Sequence, residues 1–265
     1  MATVKCLASV FLDIIIVVAV WLSAILMRKF CVPYERGFFK DDESIMHPFH
    51  GSTIPSSTLY AVGFTIPVIT MILLEIVNRR QSKSSRQLED LSDREKWFVS
   101  CFHMLAMFFF GAGTAHFLTD IPKYAIGRLR PHFFDVCKPN WNLLNNTSGY
   151  ITVDICTGED KALIQEARLS FPSGHSSMAM YCAFFFILYL EWRLTWRVVP
   201  LLRPLLQLIA FSFAFFTCLS RISDYKHHWS DVLAGGILGV AVGCLVFYCA
   251  KPRQAQQTTC DDSNP

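Results

Sequence analysis

Three groups of polar residues stand at the margins of apolar stretches in this 265-residue sequence. In the first, Lys123 and Arg130 are seven residues apart. On a helix that spacing spans nearly two turns and sets both cations on one face, about 10 Å apart along the axis. Pro131 would then end the helix, and Pro122 fits its first turn, where a missing amide hydrogen costs little. In the second, Phe171-Pro172-Ser173-Gly174-His175 directly precedes an apolar run, so the amides near Ser173 and Gly174 can form a helix N-terminus, an inherent anion site. In the third, His227 and Asp231 are at i and i+4, so a helical start would let the carboxylate hold one imidazole nitrogen and leave the other basic. Arg221 lies six residues earlier, and His228 points about 100° away from His227 and is read as a bystander.

Two histidines, an orienting carboxylate, three cations and helix-start amides suit phosphoryl transfer, whose transition state spreads negative charge over equatorial oxygens. Taken singly the clusters have plainer readings: Lys123, Arg128 and Arg130 as headgroup anchors, Ser-Gly-His as an N-cap beside an interfacial histidine. Occurring together, they outweigh those readings. No carboxylate cage for a divalent ion, Walker-type glycine loop or His-Glu-x-x-His helix is present, and Asp231 lacks the partner carboxylate of a glycosidase. No metal and no cofactor are therefore expected. His47, His50, His103, His116 and His132 lack an equivalent partner pattern and read as structural or solvent-facing.

The elements that must position these groups are membrane helices. Hydrophobic residues make up 52% of the chain and charged ones 17%, which leaves too little polar surface for a soluble globule of this size. Apolar stretches near the length that a bilayer requires run from Ala8 to Met27, Leu59 to Val77, Trp97 to Leu118, Gly174 to Leu190, Val198 to Leu219 and Val232 to Ala250. The expectation is an all-α, polytopic membrane protein of six transmembrane helices forming a single domain, 1–265. The fifth stretch is the weakest, because Arg203 and Pro204 interrupt it. The first is longer than a cleavable signal core and reads as a signal anchor, and its Asp13 reads as a packing group at membrane depth.

Positive charges divide evenly between alternate loops, but the short segment from Asn78 to Lys96 concentrates six of them, which places both termini in the cytosol. Residues 28–58 and 119–173 then become extracytoplasmic loops and 251–265 a short cytosolic tail. Overlapping glycosylation sequons at Asn145 and Asn146 fall in the second outer loop. Cys137 and Cys156 share that loop and could pair there, with Cys31 left over on the same side. Gly235, Gly239 and Gly243 form a small-residue stripe for close helix packing, with a neighbour in the same chain as the expectation. The net charge of +3 gives no support to nucleic-acid binding.

Written as Lys123-x6-Arg130-Pro131, Pro172-Ser173-Gly174-His175 and Ser220-Arg221-x5-His227-x3-Asp231, the clusters resemble the three-part signature of the type-2 phosphatidic acid phosphatase superfamily. The stretches KYAIGRLRPHFFDVC from Lys123 and RISDYKHHWSD from Arg221 are similar to the animal lipid phosphate phosphatases in particular. The resemblance implies that His227 is the nucleophile that forms a phosphohistidine, that Asp231 orients it, and that His175 protonates the departing alcohol. Lys123, Arg130 and Arg221 would clamp phosphate oxygens, assisted by Ser173 and the Gly174 amide. Implied substrates are phosphatidate, lysophosphatidate, ceramide 1-phosphate and sphingosine 1-phosphate, hydrolysed without magnesium at the outer face of the plasma membrane or the lumenal face of the endoplasmic reticulum or Golgi. Alternatives are a related phosphatase of sugar phosphates or polyprenyl diphosphates, and a non-catalytic lipid-binding or transport relative. The bilayer and its lipids are the expected partners, with a homo-oligomer left open.

Overall fold

The structure, a computed structural model, describes residues 2–78, 93–144, 149–195 and 199–250. The sequons at Asn145 and Asn146, most of the basic segment after Asn78, and the 251–265 tail lie outside the described residues. Six long helices dominate: α1 (Ala2–Phe30), α2 (Ser56–Val77), α3 (Asp93–Ile126), α6 (Gly174–Arg193), α7 (Leu202–Ser223) and α8 (Trp229–Ala250), with the short α4 (Phe133–Cys137) and α5 (Lys161–Glu166) between α3 and α6. Five of the six are long and apolar enough to cross a membrane: α1 from Ala8, α2, α3 from Trp97, α7 and α8. The sixth, α6, has 20 residues, about 30 Å at 1.5 Å per residue. It opens on His175, Ser176 and Ser177 and closes on Glu191 and Arg193, which dilute its hydropathy. It can carry those groups because it is the central helix, packed against α8, α7, α3 and α2, so that all of them but the exposed Glu191 meet protein.

Three element boundaries depart from the sequence reading. Helix α3 does not stop near Leu118. It continues through Pro122 to Ile126, and Gly127, at φ 58°, turns the chain away. Lys123 is thus in the last helical turn and Arg130 lies beyond it, so the two cations are not two turns apart on one helix. The interruption at Arg203 and Pro204 does not break α7, because both residues fall in its first turn, where proline displaces no intrahelical hydrogen bond. Helix α8 begins at Trp229, so His227 precedes it.

The glycine stripe of α8 packs within the chain. A Cβ at Gly239 would collide with the Ser177 carbonyl oxygen of α6, and one at Gly235 with the Ser173 carbonyl oxygen. Backbone-to-backbone approach of this kind requires small residues. It clamps the start of α8 to the start of α6. At the opposite end, buried Glu75 of α2 is paired with Arg193 of α6 and accepts a hydrogen bond from the Tyr189 hydroxyl.

Beyond the helix ends, the two connecting segments fold together around a second apolar cluster that includes Phe38, Ile45, Leu129, Phe133, Ile151 and Ile155. Two short strands, β1 (Phe38–Phe39) and β2 (Tyr150–Ile151), pair antiparallel across it. Cys137 and Cys156 are joined by a disulfide, and Cys31 is a free, exposed thiol. This cap holds the chain that carries Leu129 and Arg130 over the helix ends.

Candidate active site

Four helix ends meet under the cap: the last turn of α3, the first turns of α6 and α8, and the last turn of α7. Lys123 projects from α3 towards α6, where a Cβ on Gly174 would lie 3.0 Å from its Nζ. Glycine at 174 therefore gives the ammonium room beside the first amides of α6. Ser173 caps that helix, its Oγ accepting from the Ser176 amide at 3.4 Å. The Ser173 amide donates to the Asp231 carbonyl oxygen at 2.9 Å, which ties the second cluster to the third. On the far side of Lys123, buried Asp120 lies 3.7 Å from its Nζ and is held bidentately by Arg28 of α1.

His227 is 4% exposed. Its Nδ1 lies 2.8 Å from the Ser170 carbonyl oxygen, and because a carbonyl can only accept, Nδ1 carries the hydrogen and Nε2 the lone pair. The expected direct bond from Asp231 is absent: the carboxylate is 4.0 Å from Nδ1, outside hydrogen-bonding range. The i,i+4 expectation assumed helix at His227, and the helix starts two residues later. Asp231, 0% exposed, instead accepts from Arg128 Nη1 at 2.5 Å, from Ser170 Oγ at 2.6 Å and from the His228 amide at 3.1 Å. Ser170 thus bridges the pair, its carbonyl on the imidazole and its hydroxyl on the carboxylate. Burial pushes the His227 imidazole well below its usual value, and the charges of Arg130, Lys123 and His175 push it further. A neutral imidazole with its lone pair on Nε2 is the nucleophilic form.

His175, in the first turn of α6, feels the charges of Arg221, Lys123 and Arg130 and interacts with the Ile54 backbone. Its Nε2 is 3.5 Å from Ser56 Oγ. Arg130 is buried, donates its amide to the Ala167 carbonyl at 2.8 Å and pairs with Glu166 at 3.0 Å, while its Nε is buried with no partner. Burial lowers its affinity for a proton, and Glu166 partly restores it. Arg221, the largest fully buried side chain described, also feels Arg130. All eight residues singled out in the sequence thus gather at one place: Lys123, Arg130, Ser173, Gly174, His175, Arg221, His227 and Asp231.

Sequence reasoning missed the groups that hold them. Arg128, to which the sequence assigns no role beyond the plain one of headgroup anchoring, pairs with Asp231. His228 is no bystander, since its amide donates to Asp231 and its ring Nε2 donates to the Leu129 carbonyl at 3.1 Å. Ser170, Glu166, Asp120 and Asp224 had no signal beyond proximity to a cluster, and the 52–56 segment, Thr53 included, not even that. His132 is buried, donates from Nδ1 to the Tyr225 carbonyl and is pushed down to about 4 by burial, so it is a neutral structural group. Among the described residues, no three of His, Cys, Asp and Glu are grouped as metal ligands.

A buried neutral imidazole, a second histidine, three converging cations and a helix N-terminus, set on the ends of apolar helices, define an integral membrane phosphatase. Residues 104–255 match the PAP2 superfamily, a stretch that covers all eight of those residues, and the chain belongs to that family. It is 39% identical over 254 residues to phospholipid phosphatase 2 of Rattus norvegicus, covering 94% of this chain and 90% of that one. It is 42% identical over 238 residues to phospholipid phosphatase 1 of the same species, covering 89% and 83%. A Drosophila melanogaster protein, itself named only provisionally as a phosphatidate phosphatase, is 40% identical over 252 residues, and this chain spans 66% of its length. A solved transmembrane PAP2 type phosphatidylglycerolphosphate phosphatase from Bacillus subtilis aligns over 94% of this chain and 98% of its own at 19% identity, with a TM-score of 0.38, too low to bear on the fold.

Proposed function

We propose that the chain hydrolyses lipid phosphate monoesters, phosphatidate among them, through a phosphohistidine on His227 and without a metal ion. The observation that carries this is the tautomer of His227: with its hydrogen committed to the Ser170 carbonyl, the Nε2 lone pair is the one reactive position left on the ring. That lone pair attacks phosphorus, and the bond from phosphorus to the alcohol oxygen breaks. Protonated His175 delivers its proton to the leaving oxygen. Neutral His175 then takes a proton from water, whose oxygen displaces His227 and releases inorganic phosphate. Lys123, Arg130 and Arg221 neutralise the equatorial oxygens, a role that a divalent ion would otherwise supply.

Lipid rather than soluble esters are favoured by what lies below the site. One turn along α6 from His175, an apolar cavity of about 220 Å³ opens between α2, α6 and α7, lined by Leu59, Gly63, Ala179, Cys182 and Phe213 among others. It gives hydrocarbon tails a place while the headgroup meets the cations. The relatives named phospholipid phosphatase support the same class. Phosphatidate, lysophosphatidate, ceramide 1-phosphate and sphingosine 1-phosphate all fit that description. The proposed topology has six spans, with α6 as the enclosed one, both termini in the cytosol and the site on the extracellular or lumenal side of the plasma membrane, endoplasmic reticulum or Golgi. The concentration of positive charge after Asn78 and the sequons at Asn145 and Asn146 support that sidedness.

The test is phosphate release from phosphatidate in detergent micelles with excess chelator, comparing wild type with His227→Ala. Release by wild type alone is expected. Equal release by the variant removes His227 as nucleophile, and release that stops with chelator removes metal independence.

A further inference from the structure

The connection between α1 and α2 reaches into the site at a point that no motif marks. Arg221 is 1% exposed, and its guanidinium is held on several sides. Nε and Nη2 donate to Ser220 Oγ at 3.2 and 3.1 Å, Nη2 also to Asp224 Oδ2 at 2.9 Å, and Nη1 to Ser52 Oγ at 3.3 Å. Of the guanidinium's five N–H groups, these occupy four and leave one on Nη1. Asp224, itself buried, is in turn held from the connection: Thr53 Oγ1 donates to Oδ1 at 2.7 Å and the Thr53 amide donates to Oδ2 at 2.8 Å. One residue further on, the Ile54 backbone interacts with His175, and Ser56 Oγ is 3.5 Å from its Nε2.

Resting on the reading of Arg221 as a phosphate clamp, we propose that Thr53 and Asp224 form a positioning unit that aims the Arg221 guanidinium at the phosphoryl group undergoing transfer. A guanidinium on a long, flexible stem sets its fork only if something fixes its plane. Asp224 lies three residues along the same chain and fixes one edge, but Asp224 is itself at the end of α7, where the chain leaves the helix. The two Thr53 bonds fasten that carboxylate across a sequence separation of 171 residues. Removing the hydroxyl frees Oδ1, lets the carboxylate rotate and lets the guanidinium follow. An arginine that neutralises equatorial oxygens acts in the transition state, so its misalignment lowers kcat and leaves KM, set largely by the hydrocarbon tails, nearly unchanged.

The experiment measures kcat and KM for phosphatidate in mixed micelles for Thr53→Val, Thr53→Ser, Asp224→Asn and Arg221→Ala, and for Thr53→Val combined with Arg221→Ala. Thr53→Val should lower kcat about tenfold, the scale of one hydrogen bond to a charged group, with KM within about twofold. Thr53→Ser should recover most of that loss, and Asp224→Asn should reproduce the kcat-selective fall. In the Arg221→Ala background, Thr53→Val should change nothing further, the signature of two residues acting as one unit. If Arg221→Ala lowers turnover but Thr53→Val lowers it by the same factor in both backgrounds, or lowers it by raising KM, the positioning role is overturned. If Arg221→Ala leaves turnover intact, the phosphate-clamp reading itself fails, a distinct result.

Discussion

Asp231→Asn separates two accounts of the carboxylate. If Asp231 acted directly on His227, the amide would spare the fold and abolish turnover. In the structure its oxygens are spent on Arg128, Ser170 and the His228 amide, with His227 Nδ1 at 4.0 Å. The amide changes no volume but removes the charge that Arg128 faces. It also either turns an NH2 towards two donors or gives up Arg128. Breaking a fully buried ion pair costs about 3–5 kcal/mol. Arg128 keeps a side-chain exposure of 31%, so the lower end applies, about 3 kcal/mol. For a chain of this size that is a fall in Tm of about 6–12 °C. The Ser170 carbonyl still holds the His227 tautomer, so turnover per folded molecule should fall only about tenfold. The assay is thermal unfolding in detergent alongside phosphate release normalised to folded protein. An unchanged Tm with turnover abolished would refute the reasoning.

The pH dependence follows from His227. Its folded value lies below the ordinary 6.5, through burial first and neighbouring cations second, so the proposed nucleophile stays neutral as pH falls past 6.5 and is lost only on passing its depressed folded value. The acid limb of kcat/KM should therefore sit below 6.5, and an acid limb at or above 6.5 would contradict a buried His227. Stability carries the matching sign: below 6.5 the unfolded state takes up a proton that the folded state refuses, so His227 reduces stability as pH drops and contributes nothing above. A third expectation concerns packing. Gly239→Ala places a methyl group against the Ser177 carbonyl, so α6 and α8 must part, and His175 and His227, which they position, should separate. Turnover should fall together with Tm; a variant with wild-type turnover and Tm would show that the helices can yield at no cost.

The long helices were legible because apolar length is a local property of sequence, and so was the grouping of the three clusters at helix ends. Boundaries set by a turn were less so. Pro122 looked like a helix start, but it lies inside α3, and Gly127 supplies the stop. The direct His227–Asp231 hydrogen bond is missing for a related reason: α8 opens two residues after His227, and the i,i+4 pair stands 4.0 Å apart. The groups that fasten the site lie far apart in sequence, as with Thr53 and Asp224, or Arg28 and Asp120. No periodicity reports such pairs, because they depend on how helices and connections pack. The fourth stretch shows the converse, since its polar ends weaken its composition as a span while suiting it to the centre of the bundle.

The two walls of the candidate site have different origins. His175, Arg221 and Lys123 stand on the ends of long helices, whereas Arg130 hangs from a cap folded around its own apolar cluster and closed by the Cys137–Cys156 disulfide. In the proposed topology one wall is therefore stabilised by lipid-facing helices and the other by hydrophobic burial in water. Agents that act on one solvent should move one wall against the other: urea or reductant would loosen Arg130 first, while a thinner or thicker bilayer would shift the helix ends. So placed, the pocket would be a joint between two media, and its alignment a reading of how well they match.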